Sequence, residues 1–128
     1  SAQLVDQIKT HVLELIYQDK LEFLDKNISD SLAEAIGRNY QYLSTLFSSV
    51  VGVTIEKYFI LQKIERVKEL LAYDELTISE IAYRLGYSSV QHLSNQFKTI
   101  TGLSPTHFKR LGSERRKPLD KIPGSGPL

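Results

Sequence analysis

The chain has 128 residues, enough for one domain or two small ones sharing a core, and its 41% apolar content is that of an ordinary soluble protein. It has no cysteine, which excludes disulfides and thiolate metal sites, and no apolar run near the roughly 20 residues that a membrane span needs. The net charge of +1 conceals a gradient, with three lysines against six carboxylates in residues 1–30, seven basic against seven acidic residues in 31–108, and six against two in 109–128. A neutral centre gives little electrostatic support for nucleic-acid binding, so residue pattern has to carry any such reading.

The start, Ser1-Ala2-Gln3-Leu4-Val5-Asp6, lacks the charged region and apolar stretch of a signal peptide, which fits a cytoplasmic protein. The absence of methionine anywhere leaves a processed start or an excised piece of a longer chain, and favours the piece. Residues 1–27 read as an N-terminal helix and a connector. Leu4, Ile8, Val12, Leu15 and Ile16 recur at helical spacing and predict a helix packed on the unit that follows, with Leu21, Phe23 and Leu24 of the connector able to dock.

From residue 28 the chain repeats itself. Leu32-Ala33-Glu34-Ala35-Ile36-Gly37 matches Ile81-Ala82-Tyr83-Arg84-Leu85-Gly86 at an offset of 49. Beyond the glycine the offset becomes 50, pairing Leu43 with Leu93, Phe47 with Phe97, Gly52 with Gly102 and Tyr58 with Phe108. Each copy reads as helix, tight turn, helix. In the first, residues 28–54, Ser29 or Ser31 caps the first helix, Gly37 ends it and Asn39 caps the second. Leu43, Leu46, Phe47 and Val50 then face inward, and Gln41, Ser44, Thr45 and Ser48 face outward.

A long helix over 55–73, capped by Thr54, joins the copies through the stripe Tyr58, Leu61, Ile64, Val67 and Leu71. About 17 residues at 1.5 Å each make a rigid spacer of roughly 25 Å, suited to holding two helices in successive major grooves. Lys57, Lys63 and Arg66 on its polar side are candidates for phosphate contact, and Lys68 for pairing with neighbouring glutamates.

The second copy, residues 77–111, opens on the capping box Thr77-Ile78-Ser79-Glu80, and Ser88-Ser89 precedes its second helix. There Val90, Leu93, Phe97 and Ile100 are spaced to face inward, while Gln91, Ser94, Asn95 and Lys98 face outward with His92 beside them. Packing explains the inward set. It does not explain outward faces rich in Gln, Asn, Ser and Thr where a merely solvated helix carries Glu and Lys. Gln and Asn pair with adenine through two hydrogen bonds in the major groove, and Ser and Thr suit several base edges. Residues 112–128, rich in Lys, Arg, Pro and Gly, read as a basic flexible tail, either simply solvated or adding nonspecific affinity for DNA.

The stretch Ile78-Ser79-Glu80-Ile81-Ala82-Tyr83-Arg84-Leu85-Gly86-Tyr87-Ser88-Ser89, with Leu93-Ser94-Asn95-Gln96-Phe97-Lys98 and Gly102-Leu103-Ser104-Pro105 running on to Phe108-Lys109-Arg110, closely resembles the DNA-binding domain of AraC/XylS-type transcription regulators. The likeness covers about residues 28–110. It implies an all-α fold of two tandem helix-turn-helix units joined by a long linker helix, with an extra N-terminal helix here, and a function in sequence-specific reading of double-stranded DNA. By position the base-reading residues are Gln41, Ser44 and Thr45 in the first unit and Gln91, His92, Ser94 and Asn95 in the second. The phosphate-contacting set is Ser48, Lys57, Lys63, Arg66, Arg84, Ser88, Lys98, Lys109 and Arg110. Two departures stand out: Thr45 and Ser48-Ser49 stand where the family often has basic residues, which leaves the first unit electrostatically weak, and Lys63 replaces a frequent Arg of the linker helix, losing a bidentate grip on phosphate.

An enzyme is disfavoured. His11, His92 and His107 have no metal-ligand spacing, and there is neither a phosphate loop nor a Gly-x-Ser-x-Gly elbow, so no cofactor or metal is expected. The remaining alternative is a helical protein-interaction module with weak or nonspecific DNA binding, for which Tyr40 and Tyr42 are the anchors on offer. An activator must also touch RNA polymerase, which is a further expected partner. Effector sensing and dimerisation are expected only through a domain outside this chain.

Overall fold

The computed structural model describes residues 2–24 and 26–121, without the side chains of Phe23 and of residues 115–121. Over these residues the fold is all-helical: α1 (Ala2–Tyr17), a 3₁₀ turn (Leu21–Phe23), α2 (Ile28–Ile36), α3 (Tyr40–Val51), α4 (Ile55–Tyr73), α5 (Ile78–Arg84), α6 (Val90–Thr101) and α7 (Pro105–Lys121).

The sequence repeat is a geometric repeat. Asn39 caps α3 by accepting from the Tyr42 N–H, and Ser89 caps α6 by accepting from the His92 N–H at 3.0 Å. Both helices end at a left-handed glycine, Gly52 at φ +89° and Gly102 at φ +83°. Phe47 meets Tyr58 edge-on with ring centroids 5.5 Å apart, and Phe97 meets Phe108 in the same way at 5.5 Å. The added residue of the second turn follows Gly86, whose φ of +76° only glycine adopts without strain. Tyr87 N–H then closes the turn on the Ala82 carbonyl at 2.9 Å.

The cap of α2 differs from expectation. Asn27 accepts from the Asp30 N–H at 2.8 Å, and Ser29 donates to Asn27 Oδ1 instead of capping. Ser31 lies inside α2, buried, 2.8 Å from His11 Nε2. Asn27, two residues before Ser29, competes well for the cap because its side-chain carbonyl reaches the third N–H. The capping box of α5 forms as its sequence suggests, with Thr77 and Glu80 exchanging side-chain-to-backbone hydrogen bonds of 3.1 and 2.8 Å. Thr77→Ala should cost about 1 kcal/mol, read as a lower urea midpoint at unchanged slope.

The core divides into two clusters. Leu32, Leu43, Phe47 and Ile55 gather with Val5 and Ile8 in one; Ile64, Val67, Leu71, Ile81, Leu85, Leu93 and Phe97 gather with Val12, Leu15 and Ile16 in the other. Thus α1 does not pack on the first unit alone, as its position in the chain suggests, but runs along both. The linker α4 is the second shared element, and its 19 residues span about 28 Å at 1.5 Å per residue.

Two residues expected to face inward do not: Val50 is 57% exposed and Val90 38%. Each is seven residues from a buried stripe residue and so only about 20° from it round the helix, but Val50 is the next-to-last residue of α3 and Val90 the first of α6, where the helix ends leave the core. The segment expected to be flexible from residue 112 is helical as far as Lys121, and 122–128 lie outside the described residues.

Candidate nucleic-acid interface

The outward faces of α3 and α6 correspond residue for residue at the repeat offset of 50: Gln41 with Gln91, Tyr42 with His92, Ser44 with Ser94, Thr45 with Asn95 and Ser48 with Lys98. On α6, Gln91, His92, Asn95 and Lys98 are exposed and Ser94 is half-buried. Gln91 Nε2 donates to Asn95 Oδ1 at 2.7 Å, one turn along, so two amide side chains present a joint edge of donors and acceptors. His92 is held by the Ser88 hydroxyl, 3.2 Å from its Nδ1, and by the edge of the Tyr87 ring at 5.1 Å. Tyr87 is itself buried and donates to Gln96 Oε1 at 2.7 Å, tying the turn to the helix.

On α3 the equivalent contact is looser, with Gln41 Nε2 3.5 Å from Thr45 Oγ1. Gln41 and Thr45 are exposed, while Ser44 and Ser48 are half-buried. Residues 40–51 contain no charged side chain, whereas α6 carries Lys98. The sequence reading passed over Arg38, exposed in the turn before α3, whose guanidinium lies 5.9 Å from the ring centre of exposed Tyr42. It supplies the positive charge that α3 lacks. Because Arg38 belongs to the turn, the face pattern of α3 does not reveal it.

The structure sorts the phosphate candidates. Lys57, exposed in the first turn of α4, shares a shallow recess of about 360 Å³ with His92, Asn95 and Thr99, beside the amide pair of α6. Lys98 and Arg110 are exposed, and Ser88 is exposed in the turn beside His92. Lys109 is ion-paired with Asp74 at the end of α4.

Lys63 is a correction: it is only 8% exposed, and its ammonium lies 4.1 Å from the Tyr87 ring centre and 4.8 Å from that of Phe59. Burial holds its pKa down, to about 8. A six-residue step along α4 turns Lys63 about 120° from Lys57, into the packing surface of the second unit.

Arg66 and Arg84 have partners within the chain. Arg66 is nine residues beyond Lys57, about half a turn round α4, and lies 4.8 Å from the Tyr17 ring and 3.9 Å from Glu69. Arg84 pairs with Asp19 at 3.7 Å and shares a surface recess with Arg66 and Tyr73. Arg66 thus lies on the side of α4 away from Lys57, and Arg84, at the end of α5, meets it there.

No group of three or more His, Cys, Asp or Glu among the described residues could hold a metal ion. No single helix among them is long and apolar enough to cross a membrane.

Comparison with known proteins agrees with this geometry. The family described as "helix-turn-helix domain" matches residues 32–111. The melibiose operon regulatory protein of Escherichia coli K12 is 28% identical over 102 residues, covering 76% of this chain and 34% of that protein. The xylose operon regulatory protein of the same strain is 31% identical over 85 residues, covering 66% of this chain and 22% of that protein. The chain thus spans about a third or less of the length of these two relatives. Among solved structures, the C-terminal domain of AraT, a response regulator from Geobacillus stearothermophilus, superposes with a TM-score of 0.73 at 28% identity, covering 84% of each chain. The DNA-binding domain of AdpA, solved in complex with a target DNA, gives a TM-score of 0.72 at 21% identity over 86% of this chain and 96% of that one, a likeness of fold.

Proposed function

Because the chain belongs to the AraC/XylS-type helix-turn-helix family, we propose that it reads double-stranded DNA by sequence, with α3 and α6 in successive major grooves, as the DNA-binding part of a transcription regulator. The observation that carries this reading is the duplicated outward face. Gln41, Ser44 and Thr45 recur as Gln91, Ser94 and Asn95, on helices with matching caps and matching ends. Amide and hydroxyl side chains at the same positions of two helices are what base edges in a major groove require. The base-reading set is Gln41, Ser44, Thr45, Gln91, His92, Ser94 and Asn95. Around it Arg38, Ser48, Lys57, Ser88, Lys98, Lys109 and Arg110 supply phosphate contacts and register. The amide pair, with Lys57 sharing a recess with its Asn95, makes the second unit the stronger reader.

Selection of binding sites from a random duplex pool tests this. Two enriched blocks about one helical turn apart are the expected result. Enrichment of one block would mean that α3 only positions the domain. Binding without enrichment, lost steeply as salt rises, would reject sequence reading in favour of nonspecific attraction.

A second surface suits a protein partner such as RNA polymerase. Tyr73 and Tyr83 are 69% and 67% exposed, and each lines a recess that includes Arg84. Exposed tyrosines beside an arginine are the residue types enriched at energetically important interface positions. Tyr83→Ala with Tyr73→Ala should lower transcription activation without changing DNA affinity, and an equal loss of both would reject the assignment.

A further inference from the structure

Between the 3₁₀ connector and the turn of the second unit lies a cavity of about 330 Å³ that the DNA-reading surface does not use. Its volume is at the lower end of small-molecule sites, which run from roughly 300 to 1,000 Å³. Leu21, Leu24, Phe59 and Leu85 give it apolar walls, with Lys63 and Lys26 as its cations. The two differ in state. Lys26 is ion-paired with Glu34 at the surface. Lys63 is more than nine-tenths buried, and among the described residues no carboxylate lies within ion-pairing distance of it. Its neighbours are the rings of Phe59 and Tyr87, which attract a cation but accept no conventional hydrogen bond through their faces. An ammonium carries three donors, and the ring faces give none of them a conventional acceptor.

We propose that this cavity binds a small organic carboxylate, its head group accepting from the Lys63 ammonium and its apolar body lying against Leu21, Leu24 and Leu85. The carboxylate supplies both the counter-charge and the acceptors that the described residues do not offer. The apolar walls select against strongly hydrated inorganic anions, which gain nothing there to offset dehydration. Burial already lowers the pKa of Lys63, and an ion pair would raise it again. This departs from the expectation that any effector would need a domain outside the chain.

The site is wired to α6. Lys63 shares the Tyr87 ring, and Tyr87 in turn holds Gln96 through its hydroxyl and His92 through its ring edge. A carboxylate that draws the ammonium off the ring alters the support of the second recognition helix. That consequence rests on the DNA-reading function proposed above; the binding site does not.

Titration of the chain with sodium hexanoate at constant ionic strength, without DNA, tests the site through the backbone amide signals of Leu21, Gly86 and Tyr87. Saturable shifts at these amides are expected, with hexanamide binding about tenfold more weakly or worse because it offers no charge. Lys63→Met should weaken hexanoate by a similar factor, and Lys63→Arg should retain it. Leu24→Trp, which fills the cavity and leaves the ammonium in place, should also abolish binding, and keeps the test decisive if Lys63→Met disturbs packing. Absent saturation, equal binding of hexanoate and hexanamide, or unchanged binding by Lys63→Met and Leu24→Trp would each overturn the proposal. A chain that binds hexanoate as described but enriches no DNA sequence would remove the DNA-reading function and leave this site standing.

Discussion

A chain carrying Gln91→Ala and Asn95→Ala should lose its preference among DNA sequences while keeping its helix content and melting behaviour. Both side chains are exposed, and their hydrogen bond at 2.7 Å is to each other, so the fold loses little when they go. Only a DNA base gains from the amide pair. A bidentate amide–adenine contact contributes about 1–3 kcal/mol of discrimination, which is roughly a tenfold to hundredfold preference at each base read. The residual binding should be nonspecific and keep its salt dependence, since the phosphate contacts remain. The matched variant Gln41→Ala with Thr45→Ala should lose less, because the first unit's pair is looser at 3.5 Å and its helix carries no charge. Competition binding with selected and scrambled duplexes, alongside circular dichroism, measures both. Preference retained at normal helicity would move the reading surface elsewhere.

Lys63→Met should stabilise the protein at neutral pH. The lysine pKa falls from 10.5 to about 8 on folding because burial disfavours the ammonium, and that difference corresponds to about 3 kcal/mol of opposition to folding. The stacked rings of Phe59 and Tyr87 return part of it, so a gain of about 1–3 kcal/mol is expected. The pH dependence follows in sign. Between about 8 and 10.5 the unfolded chain binds the Lys63 proton and the folded chain does not, so stability of the native sequence rises with pH across that window. Below pH 8 both states are protonated and the opposition is fully present. Above pH 10 the tyrosines act the other way, since hydrogen bonding to Glu69 and burial hold the Tyr17 hydroxyl protonated to about 12 in the folded state. Urea titrations at pH 7, 8.5 and 9.5 should show the variant's advantage shrinking. An advantage that is absent at pH 7, or constant across the three, would place Lys63 in a wetter site than its burial indicates.

Local chemistry made most of the fold readable. Glycines at 37, 52, 86 and 102, the caps Asn39, Thr54 and Thr77, and the stripes through Phe47 and Phe97 all act within a few residues of themselves, so spacing alone reveals them. The outward amides of α6 were readable for the same reason. The cations were not, because their fate is decided by partners distant in sequence. Arg66 is drawn to Tyr17, Arg84 to Asp19, and Lys63 to a ring 24 residues further on. A helical wheel drawn for α4 alone already sets Lys63 between Phe59, Ile60, Val67 and Leu70, a signal that its charge masks, and the turn of the second unit folding over it closes the site. The role of α1 was hidden likewise, since its apolar stripe names a face but not how many neighbours share it.

That sharing separates the evolutionary unit from the thermodynamic one. The matched family region begins at residue 32, yet Val5, Ile8, Val12, Leu15 and Ile16 are buried against both halves of it. Five such side chains contribute on the order of 10 kcal/mol as an upper estimate, comparable with the whole stability of a small domain, roughly 5–15 kcal/mol. A polypeptide cut at the family boundary would keep every candidate base-reading residue and lose the strap that makes both lobes melt together. Its two halves would then be coupled through α4 alone, and the spacing between the reading helices would rest on that one helix.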